Sequence, residues 1–360
     1  MAAAPAPDAM QQFPEGAHVR LRSRVHGGYL HADEDGVGVS LRWRRRGRGS
    51  VGAAWRVERI LHDGATCVLL HSAAYGRYLA ASPEPAPPGH RGHRVVQGEH
   101  GEHGVDPILW KPVGSGHAGY VLLRHVSYRL LRANGRYRLW HAGVSVDDFD
   151  NQSTMMHWKV EAIPPRSAPP ALPPPAPVSP PCPHSLALLA LIWAKRGFLS
   201  TSARCFINRG GFRGLFLLHE EPAVLQRTIR YVRADNQGNF NLNPNGWATF
   251  QFHGRSVFHL RSEVANHVGL ALFFFRVIVC VRAGRYGQPT PLLIDLPRNE
   301  ETLDVVAIVS GTAGEIAFAF FQWWHGDRCS VDHTDEIETV TWIVCSIAAA
   351  ALRYPDVDAR

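Results

Sequence analysis

The chain has 360 residues, 45 % hydrophobic and 19 % charged, which excludes a disordered protein and leaves room for two or three compact domains, each with its own core. Its net charge of +7 and pI near 9.3 favour a phosphate-bearing or acidic partner only where the charge gathers on one face. Lys111, Lys159 and Lys195 are its only lysines, so the bias is to arginine, beside abundant Ala, Gly and Pro, and arginine count alone carries little weight.

Residues 1–12, MAAAPAPDAMQQ, have no basic segment followed by an apolar one, so no secretory signal is expected. They read as a disordered extension, with Met10 an alternative start to Met1. From residue 18 a pattern repeats three times: HVRLRSRVHGGYLHAD (18–33), CVLLHSAAYGRYLAAS (67–82) and YVLLRHVSYRLLRAN (120–134). Val19, Val68 and Val121 align, as do Leu21, Leu70 and Leu123, then Leu30, Leu79 and Leu131, then Ala32, Ala81 and Ala133. Each copy closes on a tryptophan followed by a basic residue, at Trp55, Trp110 and Trp158.

Alternation of apolar residues with arginine in HVRLRS has the period of a strand with one buried face. A turn and a second strand follow. A third strand (GVSLRW, HRVVQ, YRLW) and the Trp-bearing strand complete four per unit. None of these units could bury its apolar face alone, and three together predict a β-trefoil over 13–163.

At these residues the chain resembles the N-terminal domain of the plant family known as "domain of unknown function 569". The resemblance implies a trefoil of the fascin-like, actin-cross-linking type, and from it an actin-like or other protein partner. Ricin-type trefoil lectins carry Gln two residues before each closing Trp to orient a sugar-binding loop. Here those positions are Ala53, Ile108 and Met156, which speaks against that kind of lectin.

Arg42, Arg44, Arg45, Arg46 and Arg48 crowd around Trp43 between the third and fourth strands of the first repeat. Clustered guanidiniums beside an aromatic ring suit a polyanion or phosphoinositide, so these six residues are the candidate binding site. The alternative is a solvated loop with Trp43 turned inward in alternation with Leu41 and Val39. The counterpart stretches are His/Gly-rich (98–106) and acidic (144–153), the divergence expected of solvent-exposed connections. His90, His93, His100 and His103 could in principle reach one metal ion. The glycines among them predict a flexible loop with no preformed site, and no cofactor is expected.

Residues 164–225 begin with a proline-rich run read as an extended linker. The single RGGFRG at 209–214 is weak evidence of RNA binding. Within 226–358, RTIRYVRAD and WATFQFHGRS read as strands. SVFHLRSEVANHVG forms a helix with Ser256 as its cap and Gly269 as its stop, placing Val257, Leu260, Val264 and Val268 on one stripe. Three further strands (RVIVCVRAG, TPLLIDLP, TLDVVAIVSG) complete a β-β-α-β-β-β, β-grasp layout. These segments resemble the ubiquitin-like C-terminal domain of the same plant family. Residues 184–222 and 315–347 depart from that pattern and read by their length as surface-loop insertions, and one or both are expected to be translated intron or mis-joined exon sequence.

No catalytic motif is present: there is no phosphate-binding Walker loop, H-E-x-x-H or G-x-S-x-G. His325, Cys329 and His333 have helical ligand spacing but fall in the second insertion. Asp147, Asp148 and Asp150 read as a solvated turn, and Cys280 as a small buried hydrophobe. Scattered cysteines without a pairing framework suit a reducing setting, cytoplasmic or nuclear, and no apolar run is long enough to span a bilayer, so no membrane partner is expected. The expectation is a non-enzymatic, protein-binding chain associated with the cytoskeleton. The alternatives are a binder of nucleic acid or phosphoinositide, and a carbohydrate-binding trefoil.

Overall fold

The computed structural model describes residues 9–43, 49–101, 104–135, 143–148, 153–166, 170–174, 225–311 and 354–358. Both readings of inserted sequence, at 184–222 and 315–347, lie outside these residues, as do RGGFRG and the group His325, Cys329 and His333.

In the first repeat β1 (His18–Ser23), β2 (Tyr29–Ala32), β3 (Val39–Arg42) and β4 (Trp55–His62) succeed one another. The second repeat has β5 (Ala65–Ser72), β6 (Tyr78–Pro85), β7 (His93–Gly98) and β8 (Trp110–Gly114). The third has β9 (Val121–His125), β10 (Leu130–Ala133), β11 (Val144–Asp147) and β12 (Trp158–Ile163). Strands β1, β4, β5, β8, β9 and β12 pair antiparallel in a closed ring. Closure leaves this barrel no unpaired edge. The pairs β2–β3, β6–β7 and β10–β11 form three hairpins over one end, joined through β11–β7 and through bridges from Gly38 to Val96 and from Ser40 to Gly143. This first domain is a β-trefoil.

The aligned residues of the repeats meet in one core: Val19, Val68 and Val121; Leu21, Leu70 and Leu123; and the three tryptophans. Each indole N–H is buried and donates to the carbonyl of the leucine in its own repeat's second strand. Trp55 bonds Leu30 at 3.1 Å, Trp110 bonds Leu79 at 2.8 Å and Trp158 bonds Leu131 at 2.9 Å. A fully buried tryptophan needs such a partner, and the repeat supplies it three times. Phe13 is also fully buried in this core.

Three expectations are corrected. Residues 9–12 are not part of a disordered extension: Ala9–Gln12 form a short 3-10 turn with Ala9 buried and Met10 packed on the core. Arg59 holds that turn through bonds to the Met10 and Phe13 carbonyls, at 2.8 and 2.7 Å. The third strand of the third repeat is Val144–Asp147 rather than YRLW (137–140), which lies outside the described residues. Pairing of Val144 with Ala133 sets this register, so the acidic connection begins after Asp147. Asp147 itself is not a solvated turn residue but a buried partner of Arg132 at 3.0 Å. Asp150 lies outside the described residues.

After the barrel, β13 (Pro165–Arg166) leaves along the trefoil, and Leu172 packs on the second domain's core. The described start of the linker is therefore docked on the protein. The second domain has β14 (Gln226–Arg233), β15 (Ala248–His253), α1 (Val257–His267), β16 (Val277–Arg282), β17 (Thr290–Pro291) and β18 (Leu303–Val309). Its sheet order is β15-β14-β18-β16-β17, with β14 and β18 parallel, the β-grasp arrangement of a ubiquitin-like domain. The Ser256 hydroxyl caps α1 by accepting from the His259 amide, and Val257, Leu260 and Val264 are buried against the sheet. The opposite sheet face is covered too, by Phe240, Trp247 and Tyr354. Tyr354 belongs to β19 (Tyr354–Pro355), which pairs antiparallel with β13.

Trefoil and ubiquitin-like domain fall in one compact unit. The second repeat, together with the β2–β3 turn of the first at Glu34, receives the second domain. Its β5–β6 turn places Gly76 at φ +67°, where a Cβ would lie 2.8 Å from a Val281 methyl. Both the backbone conformation and the close approach require glycine there.

Candidate functional site

The base of the arginine loop is set by β3, which ends at Arg42. Arg42 points outward and pairs with Asp33 at 3.1 Å. Burial pushes the Asp33 carboxyl up, but hydrogen bonds from His31, Ser40 and Arg42 outweigh it and hold the group below its ordinary range. Trp43 is not turned inward: it is 43 % exposed, its indole N–H held by the His26 carbonyl at 2.9 Å. The period-2 alternation stops with the strand, one residue before the tryptophan. Arg44, Arg45, Arg46 and Arg48 lie outside the described residues. The far end of the loop returns at Gly49, whose amide donates to Asp358 at 3.0 Å. Beside it, Arg20 donates to the Val357 carbonyl.

The histidines do not share one flexible loop. His90 precedes β7, with its Nε2 buried and unpartnered, and burial lowers its pKa. His93 opens β7 and hydrogen-bonds the Pro83 carbonyl at 2.9 Å. His100 lies beyond the strand and packs between Tyr78 and Tyr286. His103 lies outside the described residues. Among the described residues no group of three His, Cys, Asp or Glu side chains could hold a metal ion.

Ala53, Ile108 and Met156 each end a single 3-10 turn before the closing Trp, and all three are buried. Cys280 is fully buried in β16, and burial pushes its thiol well up, the opposite of an activated nucleophile. A cavity lined by Tyr75, Arg77, Arg227, Leu296 and Asn299 has about 10 Å³, the room of one water.

A buried polar cluster that the repeats conceal lies at the junction between the domains. Tyr78 is fully buried, and its hydroxyl oxygen accepts the Gln288 amide at 3.0 Å. His71 lies 4.7 Å from the Tyr78 ring. A carbonyl can only accept, so His71 Nε2 carries the proton bonded to Gly76 O at 2.8 Å. The Thr290 hydroxyl lies within hydrogen-bond distance of both ring nitrogens, 3.2 Å from Nδ1 and 3.1 Å from Nε2. Burial, with Arg56 and His100 nearby, pushes His71 down to about 3. Glu58 faces Arg56, Glu15, Gln288 and Tyr78, and burial pushes its carboxyl up to about 7. Its Oε2, like Gln288 Oε1, is buried without a hydrogen-bond partner. Around this centre Arg77 pairs with Glu99 and Glu301, and Glu34 pairs with Arg298 at 3.2 Å. The sequence signal for this surface is His71 itself, at the position held by Arg22 and Arg124 in the other repeats.

Residues 10–160 match the family model described as "Beta-trefoil domain of unknown function (DUF569)", and residues 225–308 match that of the "DUF569 associated ubiquitin-like domain". The chain belongs to the DUF569 family. The two matches follow the two domains seen in the fold. No curated protein matches this DUF569 chain. Solved structures similar to it include the designed three-fold symmetric protein ThreeFoil, with 21 % identity, 40 % of this chain and 96 % of that chain covered, and a TM-score of 0.32. An SDF2-like protein from Arabidopsis thaliana has 16 % identity over 41 % and 93 %, with a TM-score of 0.33. SeviL, solved bound to the asialo-GM1 saccharide, has 13 % identity over 41 % and 97 %, with a TM-score of 0.30.

Proposed function

We propose that this DUF569 protein is a non-enzymatic binding protein that meets an acidic surface of a protein partner through Trp43 and the arginine loop. One observation carries the reading: Trp43 is held outward by its bond to His26, at the head of the arginine run. An exposed aromatic anchor flanked by guanidiniums is the composition of an energetic centre in protein interfaces. Filamentous actin is the specific candidate, taken from the fascin-like resemblance.

The full chain is expected to co-sediment with actin filaments at near-physiological salt, and Trp43→Ala to weaken this by about tenfold or more. Absence of pelleting at tens of micromolar removes actin. Binding of nucleic acid with a steep salt dependence, lost when the loop arginines become serine, would replace the protein reading with the polyanion one. The carbohydrate alternative has no residue pattern in its favour, since the three positions before the tryptophans are buried and apolar.

A further inference from the structure

A second surface, far along the chain from the arginine loop, has chemistry of its own. Between α1 and β16 the residues 271–276 read ALFFFR. Phe274 turns toward the helix, its ring 5.7 Å from that of Phe258. Its neighbours do the opposite: Leu272 is 86 %, Phe273 51 % and Phe275 60 % exposed. Three large apolar side chains exposed within four residues form a patch that water opposes and that marks a contact site.

The backbone beneath them is tied down at several points. The Phe273 amide bonds the Leu270 carbonyl at 2.9 Å, and the Ser310 amide bonds that of Arg276 at 2.6 Å. Arg261 reaches across from α1 to the Phe274 carbonyl at 2.9 Å and to that of Phe275. Arg276 donates to the Ser310 carbonyl at 2.9 Å, and Arg233 to that of Val268 at 3.4 Å. These partners are neutral carbonyls. Among the described residues none of the three guanidiniums forms an ion pair. Among the described residues the turn therefore carries an apolar tip over guanidiniums that bond only neutral carbonyls.

We propose that this turn is a membrane-docking tip, placing Leu272, Phe273 and Phe275 at the headgroup and acyl boundary of an anionic bilayer while Arg261 and Arg276 meet lipid phosphates. Charge complementarity selects this occupant: Arg261 and Arg276 hold only neutral carbonyls behind the apolar tip, the order in which a bilayer places its phosphates and its hydrocarbon. The exposed Phe273 and Phe275 rings lie 6.3 Å apart at 67° to each other, edge to face, so the tip presents a single apolar cluster to the medium it enters. Docking of this kind needs no spanning segment, and no described helix is long and apolar enough to cross a membrane.

The test is flotation of the full chain with phosphatidylcholine vesicles, with and without phosphatidylserine. The expected result is partition onto the anionic vesicles only, reduced about tenfold or more in the triple variant Leu272→Ser, Phe273→Ser, Phe275→Ser. Replacing the arginine-loop residues Arg44, Arg45 and Arg46 by serine is expected to leave the Phe-dependent part of the binding in place, which separates this surface from the one around Trp43. No binding of the wild-type chain overturns the proposal, as does equal binding to neutral vesicles or binding that the triple variant retains. A wild-type dimer that the variant converts to a monomer, with no vesicle binding by either, would assign the patch to self-association and also overturn it. The single variant Phe273→Ser, checked for an unchanged thermal unfolding midpoint, gives the same readout if the triple variant does not fold.

Discussion

In the first repeat β1 pairs Arg22 with Tyr29 in register, and in the second β5 pairs His71 with Tyr78 at the same place. The first pair faces solvent and settles its polar atoms on Glu161. The second is buried beneath the ubiquitin-like domain and settles them on Gly76, Thr290 and Gln288. One backbone position thus serves as a wet edge in one repeat and as a dry domain junction in the next. What changes is the side chain's ability to be buried neutral: histidine can shed its charge, and arginine cannot. The interior beneath both pairs is the same in each repeat, closed by tryptophan. The molecule therefore combines a threefold-symmetric apolar core with one asymmetric polar seam, and the two should fail under different conditions.

The largest effects belong to the core. Trp110→Ala is expected to lower unfolding stability by about 3–5 kcal/mol, measured by urea denaturation. Trp55→Ala and Trp158→Ala should match it within about 1–2 kcal/mol, because each removes a fully buried indole with the same leucine-carbonyl bond. One tryptophan costing far less than the other two would break the equivalence of the repeats.

The seam should respond to pH where the core does not. Glu58 lies at about 7 in the fold against an ordinary 4.5, so the stability linked to it is full below about 4.5 and is lost as pH rises through 7. His71 runs the other way: with about 3 in the fold against 6.5, its contribution is full above about 6.5 and is lost as pH falls toward 3. Between these limits the two trends offset, which predicts a broad plateau. Glu58→Gln, which mimics the protonated acid, should flatten the alkaline limb and raise stability near pH 8 by about 1–3 kcal/mol. His71→Gln should flatten the acid limb by a similar or smaller amount, at some cost in packing throughout. Unfolding curves of the three proteins across the pH range check both; an unchanged alkaline limb in Glu58→Gln would remove the buried carboxyl from the account.

The core was legible because its causes are local and repeated. Alternation in HVRLRS, the Gly-marked turns and the Trp spacing each follow from one strand's own geometry. The helix of the second domain was legible for the same reason, through the Ser256 cap and the stripe from Val257 to Val264. Legibility ended where pairing or another domain decides. YRLW resembles SLRW, yet the pairing strand is Val144–Asp147, because the partner of Ala133 is chosen across a longer connection. Trp43 was expected inward by alternation, but alternation holds only while the strand lasts, and β3 ends at Arg42. Nothing local says which of three equivalent faces receives the ubiquitin-like domain. His71 standing where the other repeats have arginine was the one trace of it.

The smallest effect concerns the C-terminal clasp. Strand β19 pairs with β13 through main-chain bonds that include Asp356 N–H to the Pro164 carbonyl at 2.9 Å, and Arg166 pairs with Asp356 at 3.0 Å. Both partners are about one-third exposed, so water and salt screen the pair. Arg166→Ala is therefore expected to cost no more than about 1 kcal/mol, and less still at high ionic strength, as read from urea denaturation at two salt concentrations. The main-chain pairing and the burial of Tyr354 would then account for the seating of the clasp. A loss approaching that of a core tryptophan, unchanged by salt, would instead make this short strand part of the fold's cooperative centre, joining the seam to the barrel it closes over.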